Sequence, residues 1–474
     1  MSPESEHQPT GRWLSGRWLS GRWLSGRWLS GRWLGGRRFV GSWPTKAWAT
    51  GLAVVMLVAG VGFLLWPEGS TTTDCAATVV PKDQLRSPIE SGPPFTDPRV
   101  GRLAESLSAF GTPIAGVGYD YDRWLNLVAL QHDLVAWTKR NSTWTLLDGT
   151  DLSPRWGARA PKAGMTWDAS ADRFFEIDLG NQTRVVARQM SDGKAIWCTP
   201  ISGRATIIQI ATAVTHDNGL VIATPSGNGY QIQRLSGRSG AALWKVPGPT
   251  SHPRLTQLDE SLLLAGGMSF GEAFDADNQA QTNHPSVRAI NLADGTTPWQ
   301  WTSPHPGTLH LVGLDRETAL LAAITPNRVH FYRLNAQGQA KMLFSLPGQD
   351  VQATVRFGVI ITREQLPSEH LVGRDAISGE VRWELPIRSQ PQYFPYGYDL
   401  AGAPSLPDGQ ILLGATDALV ALDVDSGKGK AFALPTDGIS TTYWPYQLAL
   451  TADGALTGVV TNIGAVVVTG QPTQ

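Results

Sequence analysis

From about residue 125 onward, apolar side chains come in short runs, often at alternate positions, and each run is closed by a turn dipeptide. Val185 and Ala187, or Leu371 and Gly373, alternate with polar neighbours as a half-buried strand does. Asp192-Gly193, Ser239-Gly240, Asp294-Gly295 and Ser378-Gly379 follow such strands, and glycine accepts the positive φ of a tight turn without steric cost. A tryptophan stands four residues after each of these glycines: Trp197, Trp244, Trp299 and Trp383. The unit predicted is strand, tight turn, then an outer strand opening on a large aromatic able to fill the space between adjacent sheets.

Two degenerate copies share the frame: 331–344 with Gly338 and Phe344, and 419–432 with Gly427 and Phe432. A further copy, 146–156, ends on Trp156 and carries Asp151-Leu152 where the others carry Asp-Gly or Ser-Gly. From Gly193 to Gly427 the glycines are 47, 55, 43, 41 and 48 residues apart, a period suited to four-stranded propeller blades. A second turn signal, as in Asp217-Asn218-Gly219, Asp408-Gly409 and Asp453-Gly454, leads into other strands of the same units. Three more strands are expected at 446–450, 456–461 and 465–469. They form a blade without its outermost member. A strand from 113–119 is expected to supply it, closing the ring and removing an exposed edge. The fold expected is all-β, an eight-bladed β-propeller with seven blades as the alternative, over residues 113–474.

Upstream the pattern changes. Residues 47–66 are twenty residues without a charge, the length of a helix that crosses a bilayer core of about 30 Å. Trp48 and Trp66 stand at its ends, and residues 1–66 hold eight Lys/Arg against two acids, all of the cations N-terminal to the span. The expectation is a single-pass N-terminal transmembrane helix with a cytoplasmic tail, 1–46, an extracytoplasmic stalk, 67–112, and the propeller outside the cell membrane. The competing reading, a cleaved signal peptide, lacks an evident small-x-small cleavage site. The tail repeats GRWLS over 11–34. A period of five scatters the arginines around a helix, so the tail is expected to be disordered. Its Arg, Trp and Leu suit anionic lipid, with neutral repeat expansion the alternative. Removing residues 1–66 leaves 31 basic and 38 acidic residues, a balance that offers no basic face to nucleic acid.

The segment Ala421-Leu422-Asp423-Val424-Asp425-Ser426-Gly427 and the recurring Gly-x-x-x-Trp resemble the repeat of the PQQ-like (quinoprotein) β-propellers, over roughly 115–470. In quinoprotein dehydrogenases the resemblance implies a quinone, a bound cation and often a disulfide between adjacent cysteines. The chain has two cysteines, Cys75 and Cys198, which are not adjacent. It has no C-x-x-C-H. Asp275, Asp277 and Asn278 lack the following Gly and distant Glu of a calcium loop. No cofactor, metal or catalytic residue is therefore assigned, and a quinone-dependent dehydrogenase stays as the alternative function.

Cys75 and Cys198 both lie beyond the expected membrane span, where a disulfide between them would tie the stalk to one blade; two free thiols are the alternative. Tyr393-Phe394-Pro395-Tyr396 and Tyr443-Trp444-Pro445-Tyr446 repeat a Tyr-aromatic-Pro-Tyr pattern fifty residues apart. Both should surface on one propeller face, as partner-binding loops or as a plug over the channel. The polar insertion 267–285 is a further candidate contact loop. The function expected is a non-catalytic, membrane-tethered scaffold or sensor for a protein partner at the cell envelope, with glycan binding as a third reading.

Overall fold

The computed structural model describes residues 79–469 except 81–83, 119–124, 131, 139–142, 160–164, 171, 179–182, 202–209, 251, 267–283, 349–351, 365–369, 387–399, 401–402, 407, 415–417, 436–444, 452–453 and 462–463. Eight antiparallel sheets follow one another along the chain. Blades 1 to 6 have four strands each and occupy 125–159, 165–200, 211–247, 255–302, 308–347 and 352–386. Blade 7, 410–433, has three described strands, and Ser405 bridges Ile411 on the inner edge of the first of them. The first strands of neighbouring blades touch: Ala211–Val214 meets both Met165–Ala169 and Leu255–Gln257, and Pro445–Leu450 meets Leu125–Ala129. First strands therefore surround the axis and last strands form the rim.

Blade 8 settles the count. Its strands Pro445–Leu450, Leu456–Thr461 and Gly464–Thr469 are completed by Thr112–Gly118, which pairs with Gly464–Thr469 from Thr112↔Thr469 to Gly118↔Gly464. A strand from before the first repeat closes the ring, as the unpaired edge required, and there are eight blades. The short strand Glu90–Ser91 adds outside it as a fifth member.

The interval 67–112 is not a free stalk where it is described. Val79 bridges Ala158 and the Val80 N–H donates to the Gly157 carbonyl at 2.8 Å, so the chain lies along the rim strand of blade 1. It next pairs with blade 8 through Glu90–Ser91, then forms the helix Pro98–Leu107. Asp97 caps that helix by accepting from the Arg99 N–H, and Pro98 opens it. Its face of Val100, Leu103, Ala104 and Leu107 is buried with strand residues of blades 7 and 8. An interval read as linker contains an apolar face at helical spacing, and packing that face over the closing blade is what orders it.

The core is divided among the seams. Eight apolar clusters lie one at each blade interface, from Trp144, Trp156 and Phe174 between blades 1 and 2 to Ala115, Leu152 and Val467 between blades 8 and 1. Among the described residues no helix is long and apolar enough to cross a membrane, and the expected span 47–66 lies outside them.

Candidate interaction surface

The repeat residues form one joint used again and again. Gly193, Gly240, Gly295, Gly338, Gly379 and Gly427 all have φ between 68° and 82°. Each sits under the aromatic of the preceding blade. A Cβ on Gly240 would lie 2.5 Å from the Trp197 ring, and one on Gly427 2.5 Å from Trp383. Trp156, Trp244, Trp299 and Phe344 lie likewise on Gly193, Gly295, Gly338 and Gly379. The five indole N–H groups donate at 2.7–2.8 Å to carbonyls of the next blade: Met190, Gly237, Leu292, Ala336 and Val424. Glycine is needed twice over, for the left-handed backbone and for the ring above it.

The residue before five of these six glycines has its own task. The side chains of Asp192, Asp294, Ser239, Ser378 and Ser426 accept from the backbone N–H two residues on, which holds the turn. A bulge in the rim strand precedes the aromatic at Ala195/Trp197 and at Val381/Trp383, and it re-aims that side chain into the seam.

The two seams beside blade 8 are built differently. Leu152 occupies the glycine position at φ 58° and is buried. The rim strand of blade 8, Thr112–Gly118, has no tryptophan to cover it, so the Leu152 side chain fills the space itself, together with Ile89. On the other side Phe432 finds no glycine turn and packs edge-on against Phe110, with ring centroids 5.3 Å apart.

Arg188 and Glu176 form a fully buried ion pair at 2.8 Å, and Arg188 also donates to the Gly193 carbonyl at 3.1 Å. Burial pushes the Glu176 carboxyl up, opposed by the Arg188 guanidinium. Both charges are thereby tied to the turn that receives Trp156. Asp168, on the first strand of blade 2, has its carboxyl raised by burial, opposed by hydrogen bonds from Thr212 and the Ala169 N–H. His305 and His330 stack at 3.8 Å, and burial, with His305 and then Arg328 nearby, pushes the His330 imidazole down.

The two cysteines are far apart in sequence. Among the described residues no three His, Cys, Asp or Glu side chains converge as metal ligands. Cys198 lies buried on the rim strand of blade 2. The other cysteine of the sequence, Cys75, lies outside the described residues.

The aromatic segments fall in equivalent connections. Tyr393, Phe394 and Tyr396 lie between the rim strand Val381–Pro386 of blade 6 and the inner part of blade 7. Tyr443 and Trp444 lie between the rim strand Gly429–Ala433 of blade 7 and the inner strand Pro445–Leu450 of blade 8, in which Tyr446 stands. Tyr393, Phe394, Tyr396, Tyr443 and Trp444 lie outside the described residues, as do Asp275, Asp277, Asn278 and most of the 267–285 insertion.

The PQQ_2 family, described as "Outer membrane protein assembly factor BamB", matches residues 135–309, from the second strand of blade 1 into the first strand of blade 5. The chain is a β-propeller, and this part of it matches that family. Among solved structures, this propeller is similar to the C-terminal WD40 domain of Sif2, at 10% identity and a TM-score of 0.51 over 75% of this chain and 99% of that one. It is similar also to Sqt1 of Saccharomyces cerevisiae, at 9% identity and a TM-score of 0.51 over 75% and 98%. A third, a quinohemoprotein alcohol dehydrogenase of Pseudomonas putida, has 11% identity and a TM-score of 0.45 over 76% of each chain. At these identities the likeness is one of fold. No curated protein matches the chain.

The structure also shows what the repeat pattern passes over. Leu243, Met342, Ile377, Val381 and Phe357 are large apolar side chains about half exposed. Four of them lie on, or in the turn before, rim strands of blades 3, 5 and 6. The alternation within those strands carried the signal: an apolar residue immediately before a docking tryptophan, as in Leu243-Trp244, has no seam to enter.

Proposed function

We propose that this propeller is a non-catalytic interaction scaffold at the cell envelope, held there by the 47–66 segment as an N-terminal anchor with the propeller outside. The observation that carries the reading is the match of 135–309 to a family described as an assembly factor. Two features support it. The repeat residues are consumed in seams rather than gathered in a site, and the buried charges Arg188 and Glu176 satisfy each other. A ring built this way is a rigid mount for surface connections, where binding residues concentrate. A disulfide of Cys198 to Cys75 belongs to the same reading, since it would hold the N-terminal segment to blade 2. The aromatic segments at Tyr393, Phe394, Tyr396, Tyr443, Trp444 and Tyr446 are the proposed loop contacts for a protein partner.

The test is recovery of partners with the full chain from solubilised membranes, beside a variant carrying Tyr393→Ala, Phe394→Ala, Tyr443→Ala and Trp444→Ala. A protein retained by the wild type and lost by the variant is the expected result. Equal retention by both would remove the loops from the interface. Retention of cell-envelope glycan in place of protein would contradict the protein-scaffold reading.

A further inference from the structure

Blade 4 passes to blade 5 through residues 303–307, and both ends of this connection are fixed. Ser303, 1% exposed, donates its backbone N–H to the Pro285 carbonyl at 2.9 Å, and its own carbonyl accepts from His284 Nδ1 at 2.8 Å. Gly307 is buried at φ 140°, where a Cβ would fall 2.0 Å from the Ile324 carbonyl oxygen. Between these ends lie His305 and the exposed Pro304 and Pro306, which have no N–H to give. The His305 N–H stays within the connection, on Ser303 Oγ at 3.1 Å. What reaches blade 5 is the His305 ring. It stacks on His330 with centroids 3.8 Å and planes 14° apart, and its centroid is 6.4 Å from that of Tyr332. Trp301, on the other side of Ser303, lies 5.1 Å from Tyr332, whose buried hydroxyl has no hydrogen-bond partner among the described residues.

Two stacked imidazoles accommodate one proton between them and repel when each carries one. Their surroundings add to that repulsion. Burial, then His305, then Arg328 hold the His330 imidazole below its usual range. On the rim strand the partner of His330 Nδ1 is a neutral hydroxyl, Ser345 Oγ at 2.8 Å. Burial keeps the Tyr332 phenol neutral by raising it further. On the blade 4 side the group present is a third imidazole, His284. Arg333 and Lys341 point to Thr318 Oγ1 and the Ile377 carbonyl. Arg288 alternates to the strand face opposite Val287 and Ala289, which pack into this seam. His330 therefore takes up a proton less readily in the stack than out of it. The stack is complete above the usual imidazole value of about 6.5 and weakens as the pH falls below it.

We propose that His305 on His330 is a pH-operated latch, which holds residues 304–306 against blade 5 at neutral pH and releases them when both rings are protonated. The released strap swings between Ser303 and Gly307, uncovering the Trp301–Tyr332 edge of the seam and giving water access to the Tyr332 hydroxyl. The latch is independent of the scaffold reading and goes beyond it.

Hydrogen exchange of the full chain, read by mass spectrometry and corrected for the intrinsic effect of pH, tests the latch from about pH 8 to about pH 5. Exchange in 299–310 of the wild type is expected to rise about tenfold or more as the pH falls, while 184–200 of blade 2 stays protected. His305→Phe keeps a ring on His330 and removes one charge, and His330→Gln removes the other; the rise should vanish in both. Ring-labelled histidine spectra should show two separated proton steps for the pair in the wild type, and one step for the remaining imidazole in each variant. Flat exchange in the wild type, a rise that persists in His305→Phe, or independent titration of the two rings overturns the latch. So does loss of protection in blade 2 at the same pH, which would be acid unfolding of the ring. Each of these results leaves the scaffold reading untouched.

Discussion

A left-handed residue beneath an indole is under two constraints that can be separated by substitution. Gly240 has φ 70° and would place a Cβ 2.5 Å from Trp197, whereas Gly227 has φ 59° with nothing within 4 Å. Gly227→Ala should therefore cost about 1 kcal/mol of unfolding free energy from backbone strain alone. Gly240→Ala should cost roughly 2–3 kcal/mol more, because the docked ring must move. Denaturant titration of the two variants checks the difference; equal losses would mean that the tryptophan does not need the space. Leu152 offers the reverse case. Leu152→Gly relieves its positive φ and yet should destabilise by about 2 kcal/mol, since the buried side chain closes the seam between blades 8 and 1. Asp168 gives a prediction in pH. Its folded carboxyl binds a proton more readily than the unfolded one, so stability falls as the pH rises from the unfolded value of about 3.9 through the raised folded value. Asp168→Asn should raise the melting temperature at pH 7, and the gain should vanish below about pH 4. A gain that persists unchanged into acid would contradict this assignment.

At the scale of elements, the seams explain which parts of the fold were legible in the sequence. Gly-x-x-x-Trp is a local signal because turn and aromatic lie on one hairpin, and from it followed the blades, their number and the donated strand. The helix Pro98–Leu107 was missed although Asp97-Pro98 is a helix opening, because one short helix has no repeat to announce it. The bulges before Trp197 and Trp383 shift register by a single residue, which alternation alone does not reveal. The aromatic pair of loops was found as a sequence repeat, while the exposed rim required knowing which strands stay uncovered. The helix bears on stability through Phe110, whose ring stands where blade 8 provides no glycine turn for Phe432. Phe110→Ala should cost about 3–5 kcal/mol, the loss expected of a buried aromatic, with early exposure of blade 8 amides to exchange. A loss below about 1 kcal/mol would show that the helix merely rests on the ring.

Across the whole molecule, the ring is closed by the pairing of Thr112–Gly118 with Gly464–Thr469 and overlaid by the segment that precedes it. That segment runs along blades 1 and 8 before the helix, so a bridge from Cys198 would extend the same clasp to blade 2. Reduction, or Cys198→Ser, should lower stability by about 2–4 kcal/mol through the restored freedom of a long loop. Calorimetry with and without reductant checks this. The central claim is that the propeller mounts partners and does not oxidise substrates. Its most direct test is reconstitution of the full chain with pyrroloquinoline quinone and calcium, following quinone binding by absorbance and alcohol oxidation with an artificial dye acceptor. The account predicts neither stoichiometric quinone binding nor turnover above the protein-free control; tight binding with dye-linked alcohol oxidation would contradict it.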